Sequence, residues 1–194
     1  MRRVSLSSLL VLGLASGTAS AHATLDYPPP RTLENKTGPC GAAGSTRGSN
    51  VTTFSPGATI TVQWRETVDH PGHYRISFDT DGNQFQNPST PDDAFPETLL
   101  DDIQDKSGGS YTAQVTLPNT PCTNCTLQLI QIMTTTVPYN SFYFQCADIT
   151  LAEGGGSGDP PPPADDAEGG CSTGAGAGWG AALIAIALVR RRRR

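Results

Sequence analysis

The stretch "SFYFQCADITL" (Ser141–Leu151) decides the fold. It is the richest run of aromatic and β-branched residues in the chain and carries no helical period, so it reads as a strand. Working outward, "CTLQLIQIM" (Cys125–Met133), "SYTAQVTL" (Ser110–Leu117), "HYRISF" (His73–Phe78) and "ATITVQW" (Ala58–Trp64) alternate apolar and polar residues in the same way. Turn clusters separate them: "SPG", "DHPG", "DTDGN", "KSGG" and "PNTPC". Only "DAFPETLLDDI" (Asp93–Ile103) admits a helix. Short strands joined by polar turns predict an all-β protein, an antiparallel β-sandwich whose loops gather distant residues at one end. Trp64 reads as core. "TDGN" lacks the spacing of a calcium loop and reads as a hairpin turn.

The same stretch carries Cys146, one of four cysteines with Cys40, Cys122 and Cys125 in this part of the chain. An even count in an exported chain implies two disulfides, with three pairings open. "CTNC" has no second CxxC and no βαβ surroundings, which argues against a zinc or redox site.

Both ends read as processing or sorting segments. Residues 1–21 carry Arg2 and Arg3, a short leucine-rich core and the small-x-small site Ala19-Ser20-Ala21, which is a secretory signal. Cleavage there would make His22 the first residue. Residues 153–170 are a Gly/Pro/acidic linker. Residues 171–194 hold Cys171, the apolar run Ala175–Val189 and five terminal arginines, which predicts a membrane or sorting tail. This tail resembles the MYXO-CTERM type, which implies an exported protein, at the cell surface or released once the tail is processed. The remaining module, residues 22–152, has six Lys and Arg against thirteen Asp and Glu. It has no basic patch for nucleic acid.

The chain has three histidines: His22, His70 and His73. An N-terminal histidine offers an α-amine and an imidazole, and a second imidazole completes a three-nitrogen set. Such a set suits Cu(II) over Mg or Ca, so one copper ion is the expected cofactor.

Three stretches carry a family resemblance: "A-HATLDYPPPR", "HPGHYRISFDTDG" and "FYFQCADITL". Together they resemble the lytic polysaccharide monooxygenases and their chitin-binding-protein-like relatives. The resemblance implies an immunoglobulin- or fibronectin-III-like sandwich with a copper histidine brace. It assigns His22 and His70 as metal ligands, with His73 as the alternate. It assigns Tyr143 as the axial aromatic at the catalytic centre. It also implies the pairings Cys40–Cys146 and Cys122–Cys125. The family's Gln or Glu near copper has no direct counterpart here, since Ser141 stands there; Gln145 and Glu66 are the stand-ins. Tyr27 and Tyr139 are the candidates for a sugar-binding face. Asp69 either caps a turn or orients His70.

Two functions follow. The first is copper-dependent oxidative cleavage of a polysaccharide, fed by an external electron donor, by a monomer. The second is a copper-binding surface protein that stores or transfers the metal.

Overall fold

The computed structural model describes residues 23–135, 137–139, 141–156, 158 and 160. The expected signal segment, His22, most of the expected linker and the expected tail lie outside the described residues.

Eight strands form two sheets: β1 (Ala23–Tyr27), β2 (Val51–Phe54), β3 (Thr59–Glu66), β4 (Gly72–Asp79), β5 (Thr98–Gln104), β6 (Gly109–Thr116), β7 (Cys122–Met133) and β8 (Phe142–Leu151). One sheet has the order β1-β3-β6; the other has the order β2-β8-β7-β4-β5. All pairs are antiparallel except β2 with β8, which is parallel and runs in register from Val51↔Asp148 to Phe54↔Leu151.

Period-2 alternation puts one column of each strand between the sheets. Ile60, Val62 and Trp64 of β3 meet Tyr74, Ile76 and Phe78 of β4 and Leu127 and Leu129 of β7 in a single core. Burying each such side chain contributes about 1.5–3 kcal/mol. Trp64 stacks on Tyr111 at 5.3 Å between centroids, and Tyr74 closes the group at 5.4 and 5.0 Å.

The outer face of the larger sheet carries His73, Arg75, Gln128, Cys146 and Asp148, all buried. The segment around residues 31–48 covers one half. It docks through Arg31 N–H to Cys146 O, Phe144 N–H to Asn35 O, and the Cys40–Cys146 disulfide. Gln128 Nε2 donates to Pro39 O. The second disulfide joins Cys122 and Cys125.

The five strands expected from alternation are present, in an all-β sandwich. Three features differ from expectation. The region admitting a helix instead contains β5, an edge strand whose ladder with β4 is interrupted by bulges. Asp102 takes a left-handed φ of 52° there, and such interruptions hide the period-2 signal. "TDGN" makes no hairpin; Asp79 Oδ1 and Oδ2 accept from Asp81 N and Gln84 N and launch a long loop toward β5. The short strands β1 and β2 carry too few residues for alternation to reveal them, and β2 adds a parallel edge to the sheet. Past β8 the chain still adds contacts, with Gly156 N donating to Thr53 O and Thr61 N to Gly158 O.

Candidate functional site

Glu66 ends the inner column of β3, in the phase of Ile60, Val62 and Trp64. Its carboxylate therefore points between the sheets, where it is buried. A buried carboxylate needs hydrogen-bond donors on both oxygens. Oε1 accepts from Gln131 Nε2 at 2.7 Å and from the His70 backbone N–H at 3.3 Å. Oε2 accepts from Gly108 N–H at 2.7 Å and faces the Tyr111 hydroxyl at 3.0 Å. That hydroxyl also lies 2.6 Å from Asp105 Oδ1 and accepts the Lys106 N–H. Its one proton serves one carboxylate at a time.

The loops converge on this hub. Gly108 reaches Glu66 because Ser107, Gly108 and Gly109 all take left-handed φ values, of 63°, 96° and 93°. Gly72 starts β4 so close to β7 that a Cβ would lie 2.2 Å from Ile132 O, which lets the His70 loop press onto the sheet end. Thr134 N–H and hydroxyl both donate to Pro71 O, tying the β7–β8 connection to that loop.

His70 is half-buried and its ring stacks on Tyr143 at 6.0 Å and 13°. Burial raises the Tyr143 phenol above its ordinary pKa. Tyr111 rises further, chiefly by burial and then through its bond to Asp105. Tyr74 rises by burial and then through the charge of Glu66. All three phenols are therefore neutral at physiological pH. One carboxylate oxygen from each of Glu66, Asp69 and Asp105 lies within 4.8 Å of the others. Three carboxylates this close make the end of the sandwich negative, which favours a cation near the His70 loop.

The sequence-derived candidates separate. His70, Tyr143, Glu66 and Asp69 meet at one end of the sandwich. His73 points to the outer face, where Nε2 lies 3.8 Å from Asp101 Oδ1, the carboxylate that also takes Arg75. Gln145 is a structural bridge: Oε1 accepts from Leu25 N, and Nε2 donates to Thr32 O and Glu34 O. Tyr27 is half-buried, edge-on to Phe54 at 6.3 Å, and packs against the core. Tyr139 is half-buried. The turn that presents His70 is held by Glu66. Asp105 and Tyr111 escaped sequence reading. Tyr111 alternates in phase with Ala113 and Val115 and so reads as core, and nothing local ties Asp105 to Glu66. His22 lies outside the described residues; Ala23, which follows it, pairs with Glu66.

A family model described as copper acquisition factor BIM1-like matches residues 20–169, the whole folded module. The chain belongs to the BIM1-like copper acquisition family. No curated protein matches it. Among solved structures, it is similar to a lytic polysaccharide monooxygenase important for efficient utilization of chitin in Cellvibrio japonicus. That likeness has 17% identity and a TM-score of 0.40, covering 58% of this chain and 66% of that one. A lytic polysaccharide monooxygenase from Kitasatospora papulosa is 14% identical with a TM-score of 0.36, covering 53% of this chain and 51% of that one. An AA10 enzyme of the same kind from Streptomyces lividans is 14% identical with a TM-score of 0.40, covering 69% and 84%. The chain thus spans about two thirds and one half of the first two. Likenesses this distant carry no argument about activity. Two disulfides in a BIM1-like domain fit an extracellular or cell-surface protein.

Proposed function

We propose that this BIM1-like protein captures one copper ion at the cell surface and passes it on, using the His22 amine, the His22 imidazole and the His70 imidazole. The observation that carries the reading is the seating of His70 on a loop tied to Glu66, beside the carboxylates of Asp69 and Asp105. Glu66 is satisfied by neutral donors, so its negative charge is not cancelled locally and favours a cation at this end. Copper is cargo in this reading. The half-buried His70, at a loop rather than deep in the core, suits a metal that must also leave.

Each nitrogen donates only when unprotonated, so copper affinity should weaken as pH falls and protons compete with the metal. Copper titration followed by electron paramagnetic resonance tests the ligand set. His70→Ala and one residue added before His22 should each remove most of the affinity. His73→Ala should leave it nearly unchanged. Equal binding by the extended N-terminus would overturn the brace. Loss in His73→Ala with retention in His70→Ala would exchange the second ligand.

A second reading, oxidative cleavage of a polysaccharide, is favoured by one observation: Tyr143 stacks on His70, where the resemblance puts its axial aromatic. There, bound copper would supply redox chemistry with an external electron donor, and Tyr143 would shape the space beside His70. Mass spectrometry of a glycan panel incubated with the copper-loaded protein and ascorbate separates the readings. Oxidised oligosaccharides would favour the second.

A further inference from the structure

A second polar centre lies on the outer face of the larger sheet. Thr126 pairs with Asp148, and Gln131 pairs with Tyr143. The five residue steps from Thr126 to Gln131 span about 16 Å along β7. Thr126 and Asp148 also face away from the core. The centre is therefore remote from His70 and independent of the copper reading.

Here a cavity of about 330 Å³ is lined by Arg31, Thr46, Arg47, Asn83, Asn124 and Thr126, among others. That volume is at the lower end for small-molecule sites, enough for one sugar-sized body. Asp148, 1% exposed, accepts from Arg31 Nε at 3.0 Å, Arg31 Nη2 at 2.6 Å and Gly48 N–H at 2.8 Å. Arg47 Nη1 lies 4.0 Å from the same carboxylate. The hydrogen bonds of Arg47 run to neutral acceptors: Cys125 O, Ile149 O and Thr150 Oγ1. Two guanidiniums thus share the one carboxylate that touches them. Two further acids flank the cavity: Asp79, paired with Thr126, is half-buried and turned onto the Asp81 and Gln84 N–H groups, and Asp81, bridged to Asn124, is exposed to solvent.

Donors are in excess. A guanidinium carries five N–H groups. Arg31 Nη1 makes only a 3.4 Å contact to Ser45 O, and Arg47 Nε makes none among the described residues. Asn83 Nδ2 is held by Ser45 O at 3.3 Å, which fixes that side chain at the cavity wall. The Asn124 side chain makes no hydrogen bond among the described residues.

We propose that this cavity is a binding site for an oxyanion carried on a sugar-sized polar body, such as a uronic acid or a sugar phosphate. The guanidinium N–H groups take the carboxylate or phosphate oxygens, and the Asn124 amide and Thr46 hydroxyl take hydroxyl groups. Charge-assisted, bidentate pairing of this kind is what arginine does best.

Nuclear magnetic resonance titration of the exported protein with glucuronate, glucose 6-phosphate, glucose and inorganic phosphate tests this. The expected result is saturable shifts at Gly48, Gly82 and Asn124 with at least one of the two acidic sugars. Glucose and inorganic phosphate should bind at least about tenfold more weakly. Arg47→Gln should weaken the acidic sugar about tenfold or more, as for loss of a charged hydrogen-bond donor. Asn124→Leu should weaken it severalfold, and His70→Ala should not change it. If Arg47→Gln fails to fold, Asn124→Leu decides, because that side chain is exposed and supports nothing else. No saturable shift with either acidic sugar would overturn the proposal, as would binding unaltered in Asn124→Leu. Glucose binding as tightly as glucuronate would remove the oxyanion. Inorganic phosphate binding as tightly as glucose 6-phosphate would remove the sugar-sized body.

Discussion

Glu66 and Asp148 are both buried carboxylates, 5% and 1% exposed, in opposite settings. Glu66 sits between the sheets and is satisfied by an amide, two backbone N–H groups and a phenol. Among the described residues, the cation of that group, Lys106, lies over the Tyr111 ring at 4.8 Å and is exposed. Asp148 sits outside the larger sheet and is held by Arg31 at 2.6 Å, with Arg47 beyond. Neutral dipoles stabilise a charge without cancelling it, whereas guanidiniums cancel it. The first arrangement leaves a negative end that favours cations, and the second leaves guanidinium N–H groups turned to a cavity. Buried acids thus set different local fields through the partners they are given.

The largest way to stress this contrast is to release the cover over Asp148. Cys40→Ser with Cys146→Ser opens a link spanning 106 residues. The chain-entropy account expects a loss of about 4–5 kcal/mol, read by urea denaturation. A loss under about 1 kcal/mol would show that the 31–48 cover holds without its staple. Next, Asp148→Ala strands Arg31 and should cost about 3–5 kcal/mol, as for breaking a buried pair. Tyr111→Phe removes the phenol shared by Glu66 and Asp105 and should cost about 1–3 kcal/mol by the same measurement. Combined with Asp148→Ala, its effect should add to within about 0.5 kcal/mol, since the two share no partner. A larger coupling would break the two-region picture.

The smallest effect lies in the loop under Arg75. Asp93 is held below its ordinary carboxylate range, first by the Thr90 hydroxyl and then by the Thr90 and Ser89 N–H groups. Its folded pKa is depressed, so its contribution is complete above the ordinary carboxylate range and fades as pH falls through the depressed value. Asp93→Asn should lower the melting temperature slightly at neutral pH and lose that difference in acid, which flattens the acid limb of the profile. A change at neutral pH equal to that in acid would assign Asp93 a packing role instead.

Legibility differed between fold and site. The strands with sustained alternation, β3, β4, β6, β7 and β8, were readable because period 2 is a local property. β5 was not, because its bulges and the left-handed Asp102 break the period. At the site, His70 and Tyr143 were readable as chemistry-bearing residues in marked stretches. Glu66 was visible only as a stand-in, although its phase with Trp64 already turns it inward. Its partners Gly108, Tyr111 and Gln131 reach it through pairings far apart in sequence.

The sequence by itself determined the all-β class, the core columns and an even set of four oxidisable cysteines. Those follow from composition, period and spacing, which act over a few residues. Only the tertiary structure decided that His70 stacks on Tyr143 while His73, three residues on, faces Asp101 across the sheet. It alone put Glu66 under the His70 loop and gathered Arg31, Arg47 and Asp148 on the far face. Alternation says which side chains share a face, but which strand ends and loops meet there depends on the register between strands, a sum of long-range contacts that no short window contains.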